Sequence, residues 1–230
     1  MKSFKKDSET KEPQYQIPFD VYKSKGLVHL GPITSHVWRT DPRRLGFLLA
    51  RYKFCSKMLS GKSRVLEIGC GDGFAIDVIL QEVKHVHAVD FDPLFIKEAQ
   101  LRNGIRTDRS FEVADFTQTF IEGPFDAAYS LDVIEHISKS NEDVFLKNIC
   151  KSLKPEGVCI IGTPSIESQT YASEWSKAGH INCKSGSELK AFLSRHFYNV
   201  FIFSMNDEVV HVGFWPMAHY IFGMGVGVKR

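Results

Sequence analysis

The chain has 230 residues, long enough for one sizeable α/β domain with a few additions, and its 24% charged content is that of an ordinary globular protein. A formal net charge of +2 is close to neutral and argues against a dedicated nucleic-acid-binding surface. Five cysteines, an odd number with no C-x-x-C pair, argue against a disulfide framework or a zinc site and point to a reducing compartment.

In chain order, residues Met1 to about Lys25 are polar, lack the apolar core of a signal peptide and are expected to be mobile. The stretch from Gly26 to Arg39 reads as irregular and carries His29, His36, Trp38 and Arg39. Residues 1–40 are thus expected to form a tail and lid, ahead of a single domain over 41–230. A helix begins after Thr40-Asp41-Pro42, where Asp suits an N-cap and Pro the first helical position. Phe47, Leu48, Tyr52 and Cys55 recur along it at helical spacing, and Ser60-Gly61-Lys62 ends it.

From Arg64 short apolar strands alternate with amphipathic helices. The strands are Val65–Ile68, His85–Asp90, Ser110–Val113, Phe125–Ser130 and Val158–Gly162. The helices run over about Phe74–Glu82, Pro93–Arg102 and Asn141–Leu153, the last opened by a capping-box-like Ser140-Asn141-Glu142-Asp143. That alternation predicts a parallel sheet covered on both faces, a doubly wound α/β fold. A loop over Thr163–His180, a helix near Ser187–Arg195 and two apolar runs, Val200–Ser204 and Glu208–Trp215, complete the pattern. Only Met205-Asn206-Asp207 separates the two runs, which predicts a hairpin and an antiparallel edge. The apolar run from Met217 to Val228 is too short and too rich in Gly to span a bilayer, so the protein reads as cytoplasmic.

The chain is organised around Val65-Leu66-Glu67-Ile68-Gly69-Cys70-Gly71-Asp72-Gly73, a buried strand ending at an acid, then a glycine turn, then a helix. Glycines there permit positive φ and close approach of a ligand to bare backbone, and the helix start offers unpaired N–H groups. Phe74 stands where the dinucleotide fingerprint needs its third glycine, and no Walker lysine follows. Asp90 ends the second strand about 20 residues on, the position from which a carboxylate accepts from ribose hydroxyls. After the third strand, Asp115 can accept from an exocyclic amine and Phe116 can flank a base.

An acid, G-x-G-x-G, a strand-end Asp and then Asp-Phe resemble the class I S-adenosylmethionine-dependent methyltransferases over roughly Arg39 to Trp215. The resemblance implies a mostly parallel seven-stranded sheet with an antiparallel edge hairpin. It implies S-adenosylmethionine as cofactor, with Glu67, Gly69, Cys70 and Gly71 along its amino-acid part, Asp90 and Phe91 at the ribose, and Asp115 and Phe116 around the adenine.

Two stretches are similar to the O-methyltransferases of ubiquinone biosynthesis. Arg39-Thr40-Asp41-Pro42-Arg43-Arg44-Leu45 resembles that family's Arg-x-Asn-Pro-x-Arg-Leu, which implies a cofactor contact for Arg44. A guanidinium fork does suit the cofactor's carboxylate. Ser130-Leu131-Asp132-Val133-Ile134-Glu135-His136 resembles Met-Glu-x-x-Glu-His, with Leu131 in the place of a cofactor-lining Met. On a helix Asp132, Glu135 and His136 share one face. By resemblance they form a set for a divalent cation; the alternative is that Asp132 and His136 pair to cap the site, and the pattern favours the latter.

His180, where that family has Gly-Thr-His, is a candidate general base, with His136 and Asp132 beside it as catalytic candidates. His36, Trp38 and Tyr171 are candidates for the acceptor pocket. The expected partner is a small-molecule methyl acceptor, more in keeping with O- than N-methylation, and the oligomeric state is open. Two alternatives stand: an RNA or protein methyltransferase on the same fold, or a non-catalytic cofactor-binding protein. The chain lacks the Asn/Asp-Pro-Pro-aromatic motif of base-amine methylation and a Pro-Cys nucleophile.

Overall fold

The computed structural model describes residues 10–230, in two units, one ending at Leu30 and the other Gly31–Arg230. The expectation for the extreme N-terminus therefore falls partly on residues 1–9, outside the described residues. The first unit holds a 3-10 turn, Pro13–Tyr15, and helix α1, Gln16–Lys25, which buries no residue and stops at Gly26 with φ 76°.

The second unit opens with α2 (Pro32–Thr40) and α3 (Arg43–Met58). The first of these replaces part of the irregular chain expected over Gly26 to Arg39. Pro32 at the first helical position is a start signal, but no side chain of the local sequence caps the helix. Asp41, expected as the N-cap of α3, instead closes α2, and its carboxylate takes the Arg43 guanidinium at 2.9 Å.

Then come β1 (Arg64–Ile68), α4 (Ile76–Ile79), β2 (His85–Asp90), α5 (Pro93–Asn103), β3 (Arg109–Val113) and β4 (Phe125–Leu131). They are followed by α6 (Glu142–Ser152), β5 (Leu153–Pro164), α7 (Glu174–Gly179), α8 (Gly186–Ser194), β6 (Phe197–Asn206), β7 (Val209–His211) and β8 (Tyr220–Val228). α4 keeps only the centre of the helix expected over Phe74–Glu82. α6 begins without a side-chain cap; the capping box is at α8, between Ser185 and Glu188. The loop expected over Thr163–His180 contains the end of β5, a 3-10 turn at Glu167–Tyr171 and α7.

One sheet runs in the order β3-β2-β1-β4-β5-β8-β6-β7. The first five strands pair in parallel, and β8, β6 and β7 are antiparallel additions. The sheet thus has eight strands where seven were expected. The hairpin's second strand shrinks to Val209–His211, and the apolar run after Met217 becomes β8, inserted between β5 and β6. Its glycines disguised it, because glycine weakens a strand unless close packing requires it. Here packing does: a Cβ at Gly223 would strike Leu193 and Leu189 of α8.

Both faces of the sheet are buried. Tyr52, Cys55 and Leu59 from α3 and its end, Ile76 and Ile79 of α4 and Ile96 of α5 cover one face. Phe145, Leu146 and Ile149 of α6 with Leu189, Phe192 and Leu193 of α8 cover the other. Parallel strands β1, β2, β4 and β5 end together, and the site lies at their carboxyl ends. Among the described residues no helix is long and apolar enough to cross a membrane.

Candidate active site

At the end of β1 the chain passes through Gly69, Gly71 and Gly73, with φ of 77°, 52° and 60°. Those values lie in the left-handed region, which glycine enters without a Cβ penalty. Asp90 at the end of β2 fixes the turn: its carboxylate accepts from the Gly71 N–H at 2.9 Å and from the Asp92 N–H at 2.9 Å. The N–H groups of Gly69 and Cys70 donate to Val89 at 2.8 and 3.0 Å. The turn is thus tied to the neighbouring strand through both backbone and side chain.

Beside it opens a cavity of about 790 Å³. Of the residues singled out from sequence it brings together Gly69, Gly71, Asp90, Phe91, Asp115, Phe116, Asp132 and His136. Asp115 holds its own loop, accepting from the Thr117 N–H at 2.8 Å and hydroxyl at 2.7 Å. Phe116 is both wall and core, and its carbonyl accepts from Asn148 Nδ2 at 3.0 Å. Sequence reading missed Ile33, Phe95, Asn141 and Phe145 in the same lining.

The other expected residues lie elsewhere. Glu67 is buried beneath the turn, where Tyr52 donates its hydroxyl at 2.6 Å. Burial pushes its carboxyl up to about 7, against the pull of the tyrosine hydrogen bond, with Asp72 and Asp90 adding repulsion. Cys70 is buried, and desolvation raises its thiol strongly. Leu131 packs toward Gly162 at the end of β4. Arg44 is exposed on the first turn of α3, near enough to His180 for its charge to be felt there. His36 and Trp38 are exposed on α2, and Tyr171 is 91% exposed.

The segment after β4 corrects the expectation of a helical face. Asp132 takes φ 58°, and Ile134–His136 form a 3-10 turn, so Asp132, Glu135 and His136 do not align. Asp132 instead accepts from Arg51 of α3, whose Nη1 lies 2.9 and 2.7 Å from its two oxygens. It is not paired with His136. The group whose ligand atoms converge, all within 4.8 Å of one another, is Glu135, His136 and His180. Glu135 is 1% exposed and accepts from Thr163 Oγ1 at 3.1 Å, while its Oε1 has no partner. Desolvation, followed by the Asp132 charge, pushes it up to about 8.

The two imidazoles meet edge to face, 5.2 Å between centroids. His136 Nδ1 is 2.9 Å from the Gly179 carbonyl, which can only accept. His180 Nδ1 is 2.9 Å from Gln169 Oε1, while Nε2 of that amide donates to the Ser165 carbonyl at 3.2 Å. Each Nδ1 therefore carries a proton, so in the neutral form of either ring the lone pair lies on Nε2. Burial, with the neighbouring His136, lowers the His180 pKa.

A parallel sheet in this strand order, a glycine turn at its carboxyl end and an acid closing the second strand define the Rossmann-like S-adenosylmethionine-dependent methyltransferase fold. A family model described as a methyltransferase domain matches residues 38–200, and the chain belongs to that family. A ubiquinone biosynthesis O-methyltransferase of Maricaulis maris is 32% identical over 149 residues, 59% of this chain and 57% of that protein. A phosphoethanolamine N-methyltransferase of Plasmodium falciparum is 34% identical over 119 residues, 50% of this chain and 45% of that protein. The chain spans about half the length of the curated relatives it matches. Among solved structures, the N-methyltransferase NodS of Bradyrhizobium japonicum WM9, in complex with S-adenosyl-L-homocysteine, has a TM-score of 0.58 at 18% identity, covering 83% of this chain and 91% of that one.

Proposed function

We propose that this chain transfers a methyl group from S-adenosylmethionine to an oxygen of a small-molecule acceptor. The cavity fits the cofactor: its volume of about 790 Å³ lies in the range of ligand sites, which runs to about 1,000 Å³. Carboxylates at Asp90 and Asp115 suit ribose hydroxyls and an exocyclic amine. Ile68, Ala114, Phe116 and Val133 give a base an apolar slot. Arg44 reaches the cofactor's carboxylate in this reading only by turning inward from the surface.

The bound cofactor supplies an electrophilic methyl on a sulfonium, and the reaction is an in-line displacement. The chain's work is to align the acceptor, exclude water and take up a proton. One observation carries the choice of oxygen over nitrogen: the two Nε2 lone pairs of His136 and His180, fixed by hydrogen bonds at Nδ1. A hydroxyl must lose a proton as it attacks, and a neutral imidazole beside the cavity accepts it at neutral pH. The ubiquinone-biosynthesis relative, an O-methyltransferase by name, supports this reading, and the phosphoethanolamine N-methyltransferase keeps an amine acceptor as the second. Measuring S-adenosylhomocysteine release over paired hydroxyl and amine acceptors decides between them: turnover confined to amines overturns the oxygen assignment.

A divalent cation at the same corner is the alternative to a histidine base, since lone pairs given to a metal cannot take up a proton. Glu135, His136 and His180 offer one carboxylate and two imidazole lone pairs, a set suited to Zn²⁺ more than to Mg²⁺. It would orient the acceptor's oxygen and lower its pKa. Asp132, engaged by Arg51, stands outside this set.

A further inference from the structure

The N-terminus of α2 is capped by the glycine turn. Its N-cap residue, Gly31, has no side chain to offer, and Pro32 removes one of the amides needing a partner. The N–H of Thr34, in the third helical position, donates to Asp72 Oδ2 at 2.8 Å, and the Thr34 hydroxyl donates to Asp72 Oδ1 at 3.1 Å. Both residues are buried, Thr34 at 2% and Asp72 at 5% exposure. Asp72 lies within the Gly69–Gly73 turn, and its Oδ1 also accepts from the Phe74 N–H at 3.2 Å. Arg102 of α5 holds the Asp72 carbonyl. Gly31 is needed at this junction because a Cβ there would fall on the Asp72 side chain.

The cap decides where Ile33 goes. Ile33 lines the cofactor cavity, and its Cδ1 would lie only 3.1 Å from a Cβ at Gly71. Thr34, one residue on, ties α2 to the turn through both its N–H and its hydroxyl. A carboxylate bonded twice to the helix start is also favourably placed for the helix dipole. Loss of these bonds would leave a buried helix end unsatisfied and free the roof residue from its place.

We propose that Asp72 and Thr34 are positioning residues for the cofactor: Asp72 caps α2 from within the glycine turn and so seats Ile33 as the roof of the cavity. Turn and roof are then one coupled unit. A ligand that orders the turn tightens the cap, and by linkage an intact cap tightens the ligand. This goes beyond methyl transfer itself and rests on the reading of the cavity as the cofactor site.

The test uses the full chain and S-adenosylhomocysteine as the probe. Wild type, Thr34→Ser, Thr34→Val and Asp72→Ala are compared by calorimetric titration and by amide hydrogen exchange. Thr34→Val keeps shape and backbone donor but loses the hydroxyl bond to a charged acceptor, so its Kd rises about tenfold, while Thr34→Ser binds as wild type. Asp72→Ala loses both bonds and weakens binding further. In wild type the probe slows exchange across 34–40; in Thr34→Val that protection is reduced, while amides of β1 exchange as in wild type. A purely structural threonine would instead alter β1 exchange with α2 and leave Kd unmoved. The proposal is overturned if wild type binds the probe with unchanged α2 exchange, or if Thr34→Val binds as tightly as wild type. Failure of wild type to bind at all overturns the cofactor-site reading along with it.

Discussion

Arg51 places Nη1 2.9 and 2.7 Å from the two carboxylate oxygens of Asp132 and lays its guanidinium 3.8 Å from the centre of the Tyr220 ring. One side chain of α3 thereby joins the cavity wall after β4 to β8, the strand inserted late in the chain. Asp132 holds a positive φ of 58°, a conformation that costs a non-glycine residue energy and persists only where neighbours enforce it. Arg51 and the Asp132 N–H bond to the Gly162 carbonyl, 3.0 Å, are what enforce it.

Arg51→Met removes both charge-assisted bonds while keeping an apolar stem over Tyr220. The expected loss of stability is about 1.5–3 kcal/mol, the range for hydrogen bonds to charged groups. Chemical denaturation measures it. Methyl transfer should fall further than stability explains, because Asp132 lines the cavity; a variant of full activity would show the pair to be structural alone.

The proposed proton-accepting role of the histidines predicts a pH profile. His180 is lowered from the ordinary 6.5 by burial and by His136, so it is neutral at physiological pH. kcat/KM should fall on the acid side with an inflection below 6.5, and His180→Ala should cost about 10²–10⁴-fold in kcat for a hydroxyl acceptor. A hydroxyl acceptor handled at an undiminished rate by His180→Ala would assign the histidine to the loop instead.

Much of this arrangement was legible in sequence. The apolar runs of β1 and β2 and the apolar stripe of α6 were directly readable, and the motif spacing located Asp90 and Asp115 on the cavity wall. What escaped had its cause far away in the chain. Arg51 looks like any surface arginine until its partner, 81 residues on, is folded against it. α2 has its cap in the glycine turn, so Pro32 alone marks its start in the local sequence. β8 alternates glycine with apolar residues because a Cβ at Gly223 would strike α8 and one at Gly225 would strike Phe197 of β6. The left-handed Asp132 breaks the helix that its neighbours' spacing implied.

In the proposed cation site, Glu135 would tie binding to pH. Its carboxyl, pushed up to about 8 by burial and then by Asp132, carries a proton at neutral pH that a cation must displace. Zinc affinity should therefore rise about tenfold per pH unit below 8, for one proton released. Glu135→Gln should abolish that slope. Equal affinity at pH 6 and pH 7.5, or no binding, removes the cation from this corner.

Glu67 makes a second, separable prediction about stability. Its folded-state pKa, about 7, lies above the ordinary 4.5, so the folded protein holds the proton more tightly than the unfolded chain. Its contribution is fully present below pH 4.5 and is lost as pH rises through 7. Glu67→Gln keeps an acceptor for Tyr52 and cannot ionise. Between pH 5 and pH 8 wild type should lose stability relative to this variant, as read by urea denaturation; parallel curves would contradict the buried-acid account.

The most direct test of the cofactor site is calorimetric titration of S-adenosylhomocysteine into wild type and Asp90→Ala. Asp90 both fixes the Gly71 amide and lines the cavity, so wild type should bind one equivalent and the variant at least about tenfold more weakly. Wild type without binding, or a variant that binds equally well, would contradict the assignment of the cavity beside the glycine turn.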